Sequence, residues 1–194
     1  MLHVNDVLKP ERDKYAEIWS HPEYREYSPG KENVARFLSV MEPTLGSTLV
    51  DIGCGAGEAG LALAERGMRV SWLDLTDAAL NPQVDRKRFT QAAIWDWRWT
   101  RGPHSLGWDY GFCCDVLEHV PTEFTMLSLD RITRACRTSW LQIAHEPDAF
   151  GALIGQPLHL TVQPFDWWRD RIALFGELID ARDLQGIGLF VVKR

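Results

Sequence analysis

The stretch VDIGCGAGEAG, Val50 to Gly60, decides how this chain is read. From Gly55 to Gly60 it satisfies G-x-G-x-x-G, the glycine pattern of loops that hold a dinucleotide pyrophosphate between a strand and a helix. The pattern alone is weak, because any tight strand-to-helix turn that brings backbone close to a ligand wants glycines. The charges around it argue against phosphate. A pyrophosphate sits on a helix N-terminus, held by backbone N–H groups and the helix dipole, yet here Glu58 opens the helix and Asp51 stands two residues ahead of Gly53. A carboxylate beside a phosphate is repelled by about 4 kcal/mol at ~4 Å with an effective dielectric near 20. The same carboxylates suit a cationic or zwitterionic ligand. Asp74, at the end of the next strand, is placed to accept from both ribose hydroxyls, which serves either class of adenine nucleoside.

Outward from this loop the chain alternates strand and helix. Thr48–Ile52 reads as a strand, 58–66 as a helix stopped by Gly67, 69–75 as a second strand, 77–84 as a poor helix broken by Pro82, and 89–94 as a third strand. Residues 95–108 form a long connection. Then come a fourth strand at 110–117, a helix at 122–137, a fifth strand at 139–144, a loop at 145–163, a helix opened by Pro164, and a hairpin of 177–183 with 187–193. Before the loop, Val34, Phe37, Leu38 and Met41 mark one helix face, and residues 1–30 read as an irregular arm or lid with room for one short helix. Alternation of this kind implies a mostly parallel sheet covered on both faces, with ligands beyond the carboxyl ends of the strands.

At 194 residues the chain reads as one domain, 1–194, with an arm at 1–30 and a core at 31–194. Cys54, Cys113, Cys114 and Cys136 lack C-x-x-C spacing and the density of a secreted disulfide scaffold, so a reducing cytoplasm fits. No apolar run approaches the ~18 residues of a membrane span, and the N-terminus lacks a signal-peptide core. A net charge of −6 argues against a nucleic-acid backbone as main partner. Against that stands a local patch: Arg86, Lys87, Arg88, Arg98 and Arg101, opposed by Asp85 and Asp96 and interleaved with Trp95, Trp97 and Trp99. Such a patch stacks and neutralises single-stranded nucleic acid or an anionic substrate, or else it is a tryptophan-rich core edge with solvated arginines.

V-D-I-G-C-G-A-G-E resembles motif I of the class I S-adenosylmethionine-dependent methyltransferases, and Cys114-Asp115-Val116-Leu117-Glu118-His119-Val120-Pro121 is similar to the L-E-H-V-containing stretch after their fourth strand. The resemblance spans about residues 34–194. It implies a Rossmann-like methyltransferase fold: α/β, doubly wound, seven strands in the order 3-2-1-4-5-7-6 with strand 7 antiparallel. It implies S-adenosylmethionine as cofactor and S-adenosylhomocysteine as product, with Asp51, Gly53, Cys54, Gly55 and Gly57 around the methionine part. Asp74 and Leu75 then hold the ribose side, Asp96 with Trp97 or Trp95 the adenine, and Cys114 and Leu117 pack on the cofactor. The tetrapeptide of amino-type DNA methyltransferases is absent; CCDV stands at the fourth strand, which weighs against methylation of base amines.

A sulfonium methyl is already activated, so alignment and proton removal remain as the enzyme's tasks. His119, with Glu118 and His159, is the expected catalytic group. An imidazole accepts a proton from a phenol or an ammonium-derived amine but matches an aliphatic hydroxyl poorly. Asp115-x-x-Glu118-His119 with His145 or His159 also resembles the divalent-metal site of the ubiquinone-pathway and small-RNA 2'-O-methyltransferases, so a divalent cation is a second expectation. The expected acceptor is an oxygen or nitrogen of a small polar metabolite, sugar or nucleotide derivative. The alternatives are a nucleic-acid terminus or sugar hydroxyl, a catalytically silent cofactor-binding module, and a nicotinamide-dependent oxidoreductase.

Overall fold

Leu49 packs into one apolar layer while Val50 and Ile52 pack into another, as the two-residue period of a strand requires. That strand is β1 (Thr48–Ile52), and the same alternation recurs in its neighbours. The computed structural model describes residues 4–100 and 107–194. In chain order the elements are α1 (Val4–Ile18), α2 (Pro22–Arg25), α3 (Pro29–Met41), β1, α4 (Glu58–Glu65), β2 (Arg69–Asp74), β3 (Phe89–Gln91), β4 (Trp108–Cys114), α5 (Thr122–Ala135), β5 (Cys136–Ala144), α6 (Phe165–Ile172), β6 (Glu177–Asp183) and β7 (Ile187–Lys193).

They build a seven-stranded sheet in the order β3-β2-β1-β4-β5-β7-β6. The first five strands run parallel, and β7 is antiparallel to both β5 and β6. This is the α/β, Rossmann-like methyltransferase topology that motif I implies. Val34 and Phe37 of α3 and Ala59 and Leu63 of α4 cover one face with Leu49, Phe112 and Trp140. Leu129 and Ile132 of α5 and Trp168 and Ile172 of α6 cover the other with Val50, Ile143 and Phe190. Phe112 and Trp140 stack with ring centroids 5.0 Å apart. The strand order reverses between β1 and β4, where an open α/β sheet leaves a crevice.

Several segments differ from their sequence-based expectation. No helix forms at 77–84: Asp77 and Asn81 accept turn bonds from Leu80 and Val84 instead, consistent with Pro82. The third strand ends at Gln91. The fourth ends at Cys114, because Asp115 takes φ 52 and a 3-10 turn over Leu117–His119 follows. Residues 101–106 of the long connection, Arg101 included, lie outside the described residues, and Trp97–Thr100 forms a 3-10 turn.

The largest difference is the arm. Instead of an irregular segment it is a 15-residue helix that continues through Pro10. Its inward positions are Leu8, Glu11, Lys14, Tyr15, Ile18 and Trp19, a helical period in which charged residues take core-facing places. Lys14 is buried and pairs with Glu11 at 2.5 Å, so the charge is carried inside with its partner.

Candidate active site

The turn after β1 is held almost entirely by its own protein. Gly53 and Cys54 donate their N–H groups to the Leu73 carbonyl at 2.8 and 3.0 Å, and Gly57 donates to the Cys54 carbonyl at 2.7 Å. Gly55 donates to Asp74 Oδ2 at 2.8 Å. The N–H groups at Gly53, Cys54, Gly55 and Gly57 are thus already spent, where a pyrophosphate would need them. Gly53 has φ +67, and a Cβ there would overlap the Val116 side chain. A Cβ on Gly55 would lie 2.6 Å from Trp19 Cζ2, so the arm's indole rests on the loop.

A cavity of about 590 Å³ lies beyond the carboxyl ends of β1, β2 and β4, within the size of ordinary ligand sites. Asp51 and Asp74 reach its floor. Asp51 accepts from the Gly60 N–H at 2.8 Å, yet burial pushes its carboxyl up to about 7. A positive charge placed beside it relieves that cost. Asp74 accepts from Gly55 and, at 3.0 Å, from Thr76; each carboxylate oxygen keeps a second lone pair for a ligand hydroxyl. Leu75, Ile94 and Trp95 continue the wall. Trp95 stacks on Phe124 with centroids 5.0 Å apart, and its buried indole N–H has no partner among the described residues.

On the other side the 3-10 turn presents His119 to the cavity, with Tyr15 Oη 2.8 Å from its Nδ1. Burial holds the Tyr15 hydroxyl well above its ordinary range, so it keeps a proton to donate. Burial also lowers His119 to about 3, which leaves the ring neutral. Tyr15 Oη and His119 Nδ1 thus share a hydrogen bond in which either can be the donor. His159, edge-on to His119 with centroids 4.7 Å apart, donates its Nδ1–H to the Glu146 carbonyl. A carbonyl only accepts, so neutral His159 has its lone pair on Nε2.

Glu118 is fully buried and outside the cavity wall. Its Oε1 accepts from the Ala144 N–H at 2.7 Å, its carbonyl accepts from Leu160 and Thr161, and Oε2 is unpartnered among the described residues. Burial first, then the Asp115 charge, raise its carboxyl well above the usual range. One ligand atom each of Glu118, His119 and His159 lie within 4.8 Å of one another. An orphaned carboxylate oxygen and imidazole nitrogens are suitable donors for a borderline cation. Ligands at about 2.1 Å from one tetrahedral ion stand about 3.4 Å apart, so these side chains have to close inward to hold one. Asp115 and His145 are outside this group; Asp115 accepts from Gln142 Nε2 at 3.1 Å.

Of the sequence-based candidates, Asp51, Gly53, Cys54, Gly55, Asp74, Leu75, Cys114, His119 and His159 line the cavity. Gly57, Asp96, Trp97, Leu117 and Glu118 do not. Gly57 caps α4 with φ 79. Asp96 is clamped by Arg98, whose Nε lies 2.8 Å from Oδ2. Leu117 sits in the core beneath the sheet, and Val116 takes its place on the wall. The wall also contains residues that the motifs did not mark: Tyr15, Trp19, Tyr24, Tyr27 and Phe150. For Tyr15 and Trp19 the signal was the helical period of the arm, masked by Glu11 and Lys14; Tyr24, Tyr27 and Phe150 come from short segments with no period to read.

No family model matches the chain. It is 30% identical over 128 residues to the ubiquinone biosynthesis O-methyltransferase of Nitrosomonas europaea, a match over 57% of this chain and 52% of that protein. The chain therefore spans about half the length of the curated relative it matches. In structure it is similar to the 1,6-didemethyltoxoflavin-N1-methyltransferase of Burkholderia thailandensis, solved with 1,6-didemethyltoxoflavin and S-adenosylhomocysteine. That likeness has a TM-score of 0.76 at 12% identity over 100% of this chain and 91% of the other. It also resembles the [4+2]-cyclase SpnF, with a TM-score of 0.65 at 12% identity over 84% of this chain and 81% of the other. The two solved structures share this chain's fold, and since one is a methyltransferase and the other a cyclase, the fold does not by itself dictate the reaction.

Proposed function

We propose that this chain is an S-adenosylmethionine-dependent methyltransferase acting on an oxygen or nitrogen of a small acceptor. The observation that carries this reading is the loop after β1, whose N–H groups at Gly53, Cys54, Gly55 and Gly57 are spent internally while Asp51 and Asp74, without a cationic partner among the described residues, stand in the cavity. Such a floor repels a pyrophosphate and suits a donor with an ammonium, a sulfonium and a ribose. Asp51 lies nearest the methionine end, Asp74 faces the ribose hydroxyls, and Ile94 and Trp95 flank the adenine. Asp96 is tied to Arg98 and stands off the cavity wall, so Trp95 and not Asp96 borders the base.

In the transfer, the acceptor's lone pair forms the new bond to the methyl carbon as the carbon–sulfur bond breaks. That bond pair stays on sulfur, giving the neutral thioether. The acceptor's proton passes to His159 Nε2, held in place by the Glu146 carbonyl, while His119 and Tyr15 fix the acceptor's orientation. A divalent cation held by Glu118, His119 and His159 would supply charge to lower the acceptor's pKa; the step as drawn needs none.

Arg86, Arg88 and Arg98 are paired with Asp77, Asp85 and Asp96, and Trp95 and Trp99 are buried. These pairings favour a structural edge over a nucleic-acid surface. No helix among the described residues is long and apolar enough to cross a membrane. Free Cys54, Cys113, Cys114 and Cys136 accord with a cytoplasmic enzyme.

Calorimetry with S-adenosylhomocysteine and NAD tests the reading: the thioether binds and NAD does not. Stabilisation by NAD alone overturns it. Turnover of labelled methyl that His159→Ala abolishes, with binding retained, separates an enzyme from a silent binding module.

A further inference from the structure

The transfer reading gives the acceptor's proton to His159, a residue at the end of the loop 146–159, and a loop residue keeps an aim only where something holds its backbone. Two residues hold this one. Leu158 and His159 donate their N–H groups to Asp148 Oδ2 at 2.8 and 3.0 Å, and Leu160 and Thr161 donate theirs to the Glu118 carbonyl at 2.8 and 2.9 Å. Four consecutive N–H groups around the imidazole therefore converge on one side chain of the loop and on the 3-10 turn that carries His119.

Asp148 does more than accept those two bonds. Its Oδ1 accepts from the Gly151 N–H. The chain leaves Asp148, runs out through a 3-10 turn at Phe150–Leu153 and returns at Leu158 to the same carboxylate, which closes the neck of the loop. The neck is tight. A Cβ on Gly151 would lie 2.3 Å from the Gln156 carbonyl oxygen and 2.9 Å from Asp148 Oδ1. The start of the loop is anchored as well, because His145 donates its N–H to the Gly186 carbonyl, in the turn between β6 and β7, at 2.8 Å. The Glu146 carbonyl, which takes the His159 Nδ1–H, is one residue beyond that anchor. With the carbonyl fixed from one side and the His159 backbone from the other, the ring keeps its Nδ1–H bond in one setting, and Nε2 is left for the cavity that His159 lines.

We infer that Asp148 is a positioning residue for the proton transfer: by closing the neck of the loop it sets the His159 backbone so that the imidazole holds its lone pair on Nε2, toward the acceptor. This rests on the transfer reading above, in which His159 Nε2 receives the proton. Asp148 borders the cavity, but both its oxygens are turned to backbone N–H groups, so it acts through His159 and not on the acceptor itself. Alignment is what such a clamp protects, since a misplacement of about 1 Å can cost about 10²-fold in rate.

The test reads the ring itself and needs no acceptor. Protein carrying isotopically labelled histidine is saturated with S-adenosylhomocysteine at roughly pH 8, above the ordinary histidine range. Long-range proton–nitrogen correlations then give the His159 tautomer, assigned by the signals that His159→Gln removes. In the wild type the proton is expected on Nδ1 alone. Asp148→Ala is expected to mix the two tautomers. It is also expected to speed amide exchange at Leu158 and His159 at least about 10-fold, while Leu160 and Thr161, held by Glu118, change by less than about threefold. Asp148→Asn keeps an oxygen that can accept from Leu158 and His159, so it is expected to restore the single tautomer. Where Asp148→Ala does not fold, Asp148→Ser gives the same reading, its hydroxyl being too short to span the neck. A single Nδ1–H tautomer in folded Asp148→Ala overturns the inference and leaves the transfer reading standing, as does a mixture that Asp148→Asn fails to restore. A wild-type proton on Nε2 removes the inference together with His159 as the base. Failure of S-adenosylhomocysteine to bind the wild type removes both the inference and the transfer reading.

Discussion

The floor and the roof of the cavity are made in opposite ways. The floor, from Asp51 to Leu75, is largely backbone: glycines at positive φ and N–H groups folded back onto Leu73 and Asp74, with the buried carboxylate of Asp51 and the half-buried one of Asp74 between them. The roof, from Tyr15 to Tyr27 and from Glu146 to His159, is side chain: aromatic rings, a phenol on an imidazole, and an aspartate stitching a loop. A backbone floor tolerates few residue types and presents one ligand shape. A side-chain roof can be rebuilt ring by ring without disturbing the sheet, so a shared donor and a private acceptor can coexist on one fold.

Substitutions can break this division or sharpen it. The largest effect falls on the roof's chemistry: His159→Ala is expected to lower kcat by about 10²- to 10⁴-fold while leaving S-adenosylhomocysteine affinity within about twofold, read by single-turnover transfer and calorimetry. If donor binding collapses with it, the two halves are not separable. On the floor, Gly53→Ala combines a strained φ with overlap of Val116 and is expected to cost about 2–4 kcal/mol in denaturant unfolding, together with loss of donor binding.

Asp51 gives the floor a pH signature. Its folded carboxyl titrates near 7 against an ordinary 3.8. Between those values the folded protein keeps a proton that the unfolded chain has lost, so this group's contribution to stability falls as pH rises from about 4 to about 7. His119 acts in the opposite sense. Its folded value near 3 lies below the ordinary 6.5, so its contribution rises with pH from about 3 to about 6.5. The two slopes oppose each other in the wild type. The stability of Asp51→Asn minus that of wild type is therefore the useful quantity, expected to grow across pH 4–7 and to level above it. Saturating S-adenosylhomocysteine, whose ammonium neutralises Asp51, is expected to flatten the difference. Smaller again is Tyr15→Phe, which removes the bond to His119 and is expected to cost about 1 kcal/mol of stability, with a fall in kcat and no change in donor affinity. The smallest is Asp96→Ala, whose carboxylate belongs to Arg98; donor affinity should move by less than about twofold.

The floor was legible because glycine spacing and flanking carboxylates are written locally: Asp51 through Gly57 lie in one run, and Asp74 follows at the end of the next strand. The alternation of strands and helices could be read for the same reason, each element announcing its own period, whereas the order of the strands followed only from the resemblance of the loop to motif I. The roof is assembled from residues more than a hundred positions apart, such as Tyr15 with His119, and no local spacing encodes that meeting. The arm helix was hidden by its own chemistry, since a buried Lys14–Glu11 pair occupies places where an apolar residue would have completed the pattern. Asp96 stands off the cavity wall for a simpler cause: a carboxylate in the right region is spoken for two residues later by Arg98. Leu117 is in the core and Val116 on the wall, after a chain that turns left-handed at Asp115.

The indole of Trp19 lying on Gly55 gives the cavity a direction of traffic. A donor seated on the loop is beneath that ring, so exchanging spent thioether for fresh sulfonium requires the end of α1 to lift. An acceptor arriving past the exposed Tyr27 requires no such movement. In the proposed transfer, ordered addition with the donor first and the thioether released last is the outcome this contact leads one to expect, and product-inhibition kinetics reads it.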